Sequence, residues 1–327
     1  MLIKPSFGAV GESCYASTMA AIRLGALLQL PSWFVRGVIA TCLGSTLGCS
    51  GEEEAPVEPK QSFTWAILAD THITESTERK ARLERAVAWL NEQGSAEQIE
   101  LVFVVGDVGW GTGLATAKSV LDELTIPYVP LIGDNEIHEG DDETYANVFG
   151  PQYAALSQTL AQWRQAPSPV NDPVSGNHAW FQNAAFQHRG VSFFAVDWCS
   201  REGGLAGELG EVHDFPEGTL PWLERELAAG EHARQGIVLF SHIPMVPLLF
   251  DDSELAKFDA VLAPYGDEIY ANFAGHIHAN RESSQTSWKV YTTDDLFDDE
   301  LTIRLVHSRG NHTGFEQSTE LIELPWP

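Results

Sequence analysis

Residues 63–72 read FTWAILADTH, an apolar run that closes on Asp70 and His72. A strand with one wet face would alternate apolar and polar residues. A nearly continuous apolar run predicts a strand covered on both faces. The same spelling recurs along the chain: IELVFVVGD ends on Asp107, IPYVPLIGD on Asp134, GIVLFSH on His242, and IYANFAGHIH on His276 and His278. Helical periodicity fills the intervals. Thr77 to Gly94 carries Leu83, Ala86, Val87 and Leu90 on one face, and further helices are expected around Ala115–Leu124, Leu220–Ala229 with Pro221 in its first turn, and Leu255–Leu262. This alternation predicts an α/β fold built from βαβ units. WFQNAAF and VSFFAVDW read as further strands, and the end of the chain from Trp288 reads as antiparallel strands alone. Residues 139–178 read as a long, partly helical insertion, and there is no internal repeat.

In an open α/β sheet, ligands bind at the carboxyl ends of the strands. One Asp or His after an apolar run has an ordinary reading as a turn former or a satisfied core group. Five such runs that all end in carboxylate or imidazole predict a shared site. Imidazole with carboxylate suits Mn, Zn or Fe better than Ca or Mg. DTH and GHIH must each turn where the strand ends, and Gly275 stands at the second of these turns.

In this order the set resembles the calcineurin-like metallophosphoesterases, recognised by D-x-H, G-D, G-N-H-E/D, an isolated His and G-H-x-H. Here the motifs stand as Asp70-Thr71-His72, Gly106-Asp107, Gly133-Asp134-Asn135-Glu136, Ser241-His242 and Gly275-His276-Ile277-His278. The resemblance covers residues 63–280 and the terminal strands. It implies a metallophosphoesterase-type two-sheet αββα sandwich with the metal site at the carboxyl ends of the strands. It also implies two divalent metal ions and hydrolysis of phosphoric esters by metal-activated water. Asp70, His72, Asp107 and His278 would hold the first metal, and Asp107, Asp134, His242 and His276 the second, with Asp107 as the bridge. The substrate implied is a small phosphate ester. The His of D-x-H separates the chain from purple acid phosphatases, which place a Tyr where this chain has Trp110.

One corner departs from the family pattern. Aligned on Gly133, Asp134 stands in place of the family Asn ligand and Asn135 in place of the family His. Gly176-Asn177-His178 and Gly310-Asn311-His312 spell the usual tripeptide, but the first follows no strand and the second comes after GHIH. The added carboxylate should hold metal more firmly and attract an anionic phosphate less. The missing imidazole removes a group that protonates or stabilises the leaving oxygen, a role worth roughly 10² to 10⁴ in rate for general acids. Asn135 and His138 are the candidate catalytic residues, with His138 the candidate replacement, and Trp110 is a further candidate for substrate contact. Two other classes compete: a metal-loaded binding protein without turnover, and a serine hydrolase using Ser241. Neighbouring strand residues face opposite ways and no G-x-S-x-G elbow is present, which argues against the latter.

The 327 residues, 44% hydrophobic, suffice for a large core. The balance of 46 acidic to 19 basic residues gives a net charge of -27, which argues against nucleic acid as a partner. Residues 1–48 read as a lipoprotein leader, with Met19 as the expected start because the length from Met1 exceeds the usual ~15–30 residues. Cys49 is the expected lipid-bearing residue, giving an extracytoplasmic, membrane-anchored protein. Residues 49–61 read as an acidic linker and 62–327 as the phosphoesterase domain. Arg36 breaks the apolar stretch that a transmembrane helix would need. Cys199 is then the lone cysteine of the folded part and reads as a buried structural thiol. The insertion at 139–178 and the loop SREGGLAGELGEVHDF are expected to shape the mouth of the site.

Overall fold

The computed structural model describes residues 59–138, 142–173, 176–201, 208–284, 288–298 and 300–326. The expected leader, Met19, Cys49 and the linker up to residue 58 lie outside the described residues. The chain begins with β1 (Gln61–Leu68), α1 (Thr77–Gln93), β2 (Ile99–Val105), α2 (Thr112–Leu121) and β3 (Tyr128–Leu131). Then come α3 (Asp134–His138), α4 (Asp142–Thr159), β4 (Ala161–Gln165), β5 (Val170–Asn171), β6 (His178–Ala179), β7 (Ala184–His188) and β8 (Val191–Ala195). The remainder is α5 (Thr219–Ala228), β9 (Ile237–Phe240), α6 (Asp252–Leu262), β10 (Ile269–Ala274), β11 (Arg281–Ser283), β12 (Lys289–Thr292), β13 (Leu301–Asn311) and β14 (Gly314–Leu324).

Two sheets carry the fold, in the orders β14-β13-β1-β2-β3 and β11-β12-β10-β9-β8-β7-β4, with β5 and β6 as a separate pair. The centres are parallel: β1 with β2, β2 with β3, β8 with β9, and β9 with β10. Antiparallel strands flank these centres, as β1 with β13 and β7 with β8 show, except at β3, which ends the first sheet parallel to β2.

Period-two alternation within each buried strand sorts side chains between two layers. In β1, Phe63, Trp65 and Ile67 face the other sheet, whereas Ala66 and Leu68 join Leu83, Ala86 and Leu90 of α1. Phe103 of β2 stacks on Phe240 of β9 with ring centroids 3.7 Å apart, and this aromatic contact joins the two sheets. Leu220, Leu223 and Leu227 of α5 pack with Ile237 and Leu239 of β9 in the outer layer. The αββα sandwich expected from the motifs is therefore present. The continuous apolar runs of the sequence are its central strands, which have no wet face.

The helix expected from Thr77 is present, capped by the Ser76 hydroxyl, which accepts from the Arg79 N–H. One expectation needs correction. The end of the chain is not antiparallel alone, because β12 runs parallel to β10 and extends the second sheet. The insertion is partly helical as expected: α4 buries Tyr145, Phe149 and Tyr153, and β4 adds a sheet edge against β7. No helix among the described residues is long and apolar enough to cross a membrane.

Candidate metal centre

The parallel strands of both sheets deliver their carboxyl ends to one place. Beyond β1 and β2 the backbone stays strapped together, with the His72 N–H donating to the Asp107 carbonyl (2.8 Å) and the Ile73 N–H to the Val108 carbonyl (3.0 Å). Asp70, His72 and Asp107 sit on these straps, Asp134 opens α3 after β3, and His242, His276 and His278 follow β9 and β10. The turns expected at DTH and GHIH are made by the residues that carry the chemistry. Asp70, His72, Asp107, His276 and His278 all have positive φ, between 43° and 69°. Asp and His tolerate this region better than bulky residues do, and clustering there is characteristic of functional sites.

Two donor groups result: Asp70, His72, Asp107 and His278, and Asp134, His242 and His276. Asp107 faces both, with Oδ2 3.1 Å from His72 Nε2 and Oδ1 3.4 Å from His242 Nε2. His278 Nε2 lies 3.5 Å from Asp70 Oδ1. Asp134 Oδ1 stands 2.6 Å from His242 Nε2 and 2.9 Å from His276 Nδ1. Each group thus joins carboxylates from the first sheet to imidazoles from the second.

These donors suit a divalent cation. They are carboxylate oxygen and imidazole nitrogen only, and His72 Nε2 is buried without an aligned hydrogen-bond partner. His242 donates Nδ1–H to the Val105 carbonyl (2.9 Å), which leaves Nε2 for coordination. The carboxylates are seated on glycines. A Cβ at Gly133 would lie 2.2 Å from Asp107 Oδ1, and one at Gly275 2.3 Å from Asp70 Oδ2. Burial would raise the Asp70 carboxyl, but His278 and His72 outweigh it and hold it at about 2. Burial likewise opposes the His72 cation, but Asp107 and Asp70 raise it to about 9. Asp134 is pulled far below the usual carboxylate range by His242 and His276, against the effect of burial. A dication would satisfy these carboxylates and imidazoles together.

Of the residues expected in the site, the seven candidate metal ligands and Asn135 come together. Asn135 donates its backbone N–H to Asp107 Oδ1 (3.0 Å) and its amide to Asp107 Oδ2 (2.5 Å). His138 does not join them: it is exposed at the last position of α3 and does not line the pocket. Trp110 meets His72 edge to face at 5.4 Å and also stays off the pocket wall. Ser241 is fully buried and donates its hydroxyl to the Ile243 carbonyl, so it is no nucleophile. His178 pairs in β5-β6, and residues 310–312 line a different cavity, so both stray tripeptides are outside the centre. Cys199 is fully buried, and burial first of all pushes its thiol well up. From the two segments expected at the mouth, Glu208 and Leu209 of the loop line the pocket, but no described residue of 139–178 does.

Supporting residues went unrecognised in the sequence. Glu136, fully buried, accepts from the N–H groups of Gly109 (2.9 Å) and Gly133 (2.7 Å), tying the Asp107 loop to the Asp134 loop. Burial, and then the charge of Asp107, push its carboxyl up to about 8. Asp295 stands 3.7 Å from His278 Nδ1 and caps the N–H groups of Phe297 and Asp298. Phe297 lies on the His72 ring at 4.3 Å, and the Arg79 guanidinium covers Phe297 at 4.7 Å. Glu136 was within reach of sequence reading as the last letter of GDNE. Asp295 and Phe297 carry no motif at all.

A search of curated proteins found no match. Among solved structures, GAP50, the anchor in the inner membrane complex of Plasmodium, is 11% identical with a TM-score of 0.49, covering 80% of this chain and 88% of that one. A putative 5'-nucleotidase from Staphylococcus aureus is 13% identical with a TM-score of 0.47, and the match spans 80% of this chain but only 54% of that one. An archaeal phosphodiesterase is 11% identical with a TM-score of 0.35, covering 80% of this chain and 100% of that one. These likenesses are too distant to carry a function across. The model of the calcineurin-like phosphoesterase family, in contrast, matches residues 63–280, the stretch that runs from β1 to the last histidine of the centre. With its fold and its metal-binding donor set in place, the chain belongs to the calcineurin-like phosphoesterase family.

Proposed function

We propose that the protein hydrolyses phosphoric esters with two divalent metal ions, drawn from Mn, Zn and Fe. The observation that carries this reading is Asp107, whose two oxygens face separate donor groups. Asp70, His72 and His278 complete one metal site, and Asp134, His242 and His276 the other. Bound there, the ions would supply Lewis acidity, lowering the pKa of a water toward 7 and offsetting phosphoryl charge. The chain's own residues hold the donors rigidly. His242 is locked by the Val105 carbonyl, Asn135 by Asp107, and the two carboxylate loops by Glu136. In the net reaction one water divides between the phosphoryl group and the departing alcohol.

Asn135 supplies an amide that has no proton to give to a leaving oxygen. Poor leaving groups should therefore react slowly, and Asn135→His should speed alkyl phosphates by about 10²-fold while changing aryl phosphates little. Equal effects on both would dismiss this role. The same amide is the observation that favours a second reading, a metal-binding protein without turnover. One experiment separates the two: hydrolysis of aryl phosphates by the full chain after chelation and again after Mn or Zn is restored. Activity that returns with metal supports the esterase. Silence in protein shown to hold two metals supports the binding protein. We also propose an extracytoplasmic location with a lipid anchor at Cys49, on the leader-like sequence before it. Cys49→Ala should then shift the protein from the membrane to the soluble fraction.

A further inference from the structure

The pocket over the metal ligands has a volume of about 430 Å³, and its wall is uneven in chemistry. Apart from the ligands and Asn135 it is lined by Glu208, Leu209 and Leu249. Among the described residues no Lys or Arg lines this wall, so no cationic side chain of theirs stands beside the metal centre to pair with a second phosphate charge. The ligand carboxylates Asp70, Asp107 and Asp134 leave a pair of dications with a single net positive charge. Glu208 at the rim reduces it further. A phosphomonoester carries nearly two negative charges near neutral pH, by analogy with phosphorylated side chains. Its second charge would be desolvated without a partner.

The same rim concentrates exposed apolar surface. Among the described residues the exposed large hydrophobics are Leu209 (42%), Leu248 (95%) and Leu321 (41%). Leu209 lines the pocket, and Leu248 directly precedes Leu249, which also lines it. Leu248 is moreover held at φ 85°, in a region that β- and γ-branched residues rarely occupy. Two loops are locked together here. The Gly210 N–H donates to the Leu249 carbonyl (2.7 Å), and Gly210 sits against Phe250, where a Cβ would lie 2.2 Å from the ring. On the other side, the Ser200 N–H donates to the Leu209 carbonyl (3.1 Å) and the Val212 N–H to Glu254 (2.8 Å). The fold thus keeps a fixed apolar lip beside a metal centre, although leucines gain nothing from facing water.

We infer that the substrate is a phosphodiester whose second ester arm is apolar, with the singly charged phosphoryl group at the metals and the arm along Leu209 and Leu249. This rests on the phosphoesterase reading above. The singly charged diester matches the residual charge of the centre, and the lip recovers transfer free energy from the arm.

The test compares p-nitrophenyl phosphate with its methyl and hexyl diesters, using the full chain loaded with Mn. The leaving group is the same in all three. Expected is a kcat/KM at least about tenfold higher for the methyl diester than for the monoester, and a further rise of about fivefold for the hexyl diester, carried by KM. Leu209→Ser should lower the hexyl-to-methyl ratio, and Glu208→Lys should narrow the gap between monoester and diester. Both positions are exposed, so neither change threatens folding. A monoester that reacts as fast as the diesters, or a hexyl-to-methyl ratio of one in the unaltered protein, would overturn the inference while leaving the esterase intact. Inactivity toward all three with metal bound would overturn both.

Discussion

The two sheets contribute unlike chemistry to one centre. The first supplies Asp70, Asp107 and Asp134 with the single imidazole of His72, and the second supplies His242, His276 and His278 and no carboxylate. The carboxylates are therefore held on one side and most of the imidazoles on the other, and neither sheet alone can complete a site. The sandwich interface, with Phe103 stacked on Phe240, sets the distance between the two sets. Within the second sheet the histidines also differ. The His242 side chain is fully buried and locked by Val105, whereas the His278 side chain is 37% exposed and held from the side by Asp295.

The strongest challenge to this division is Asp107→Asn, which removes the carboxylate charge that faces both donor groups. It should lower kcat by more than about 10³-fold and reduce bound metal at both sites, since even residues one layer outside the ligands affect metal binding or activity about 10- to 100-fold. Loss of metal from one site alone would show that Asp107 does not bridge, and metal content measured beside the rate would reveal it. A smaller effect should distinguish histidines of the second sheet. His242→Ala should weaken metal binding by about 100-fold or more and His278→Ala by less, because the exposed position can be refilled by water. Competition with a chromogenic chelator gives both affinities, and the reverse order would break the comparison.

The charged side can be tested through protons. Without metal, His72 stays protonated up to about 9, since Asp107 and Asp70 outweigh the opposing effect of burial. At pH 7.5 a metal must therefore displace this proton, so apparent affinity should rise with pH, up to about tenfold per unit for each proton released, and flatten above 9. Calorimetry in two buffers of different protonation enthalpy counts the protons, and a count of zero would contradict the assignment. The smallest expected change is for Asp295→Ala, about tenfold weaker metal binding confined to the site that includes His278.

The central strands and the candidate donors at their ends were legible because burial on both faces leaves a strand no polar positions until it ends. Asp70, Asp107, Asp134, His242 and His276 therefore stand out at the ends of apolar runs. The helices showed through their periodicity, although α6 starts at Asp252, earlier than the Leu255 expected from its apolar face, because the first turn is polar. The parallel pairing of β12 was not legible, since pairing direction depends on where the chain returns rather than on which residues alternate. His138 illustrates a further limit. Its nearness to Asp134 in sequence is real, but one short helix carries it to the surface.

By itself the sequence determined the candidate donor residues, their order and the strands that bear them, because backbone burial and ligand chemistry are both written in local residue type. The tertiary structure alone decided which Asp meets which His, that Asp295 and Phe297 support the first donor group, and that Leu209 and Leu249 share a lip. Those contacts join residues far apart in the chain, as in the His276 N–H donating to Asp70 across 206 positions. Such a meeting is fixed by the packing of two sheets against each other, which no local pattern specifies.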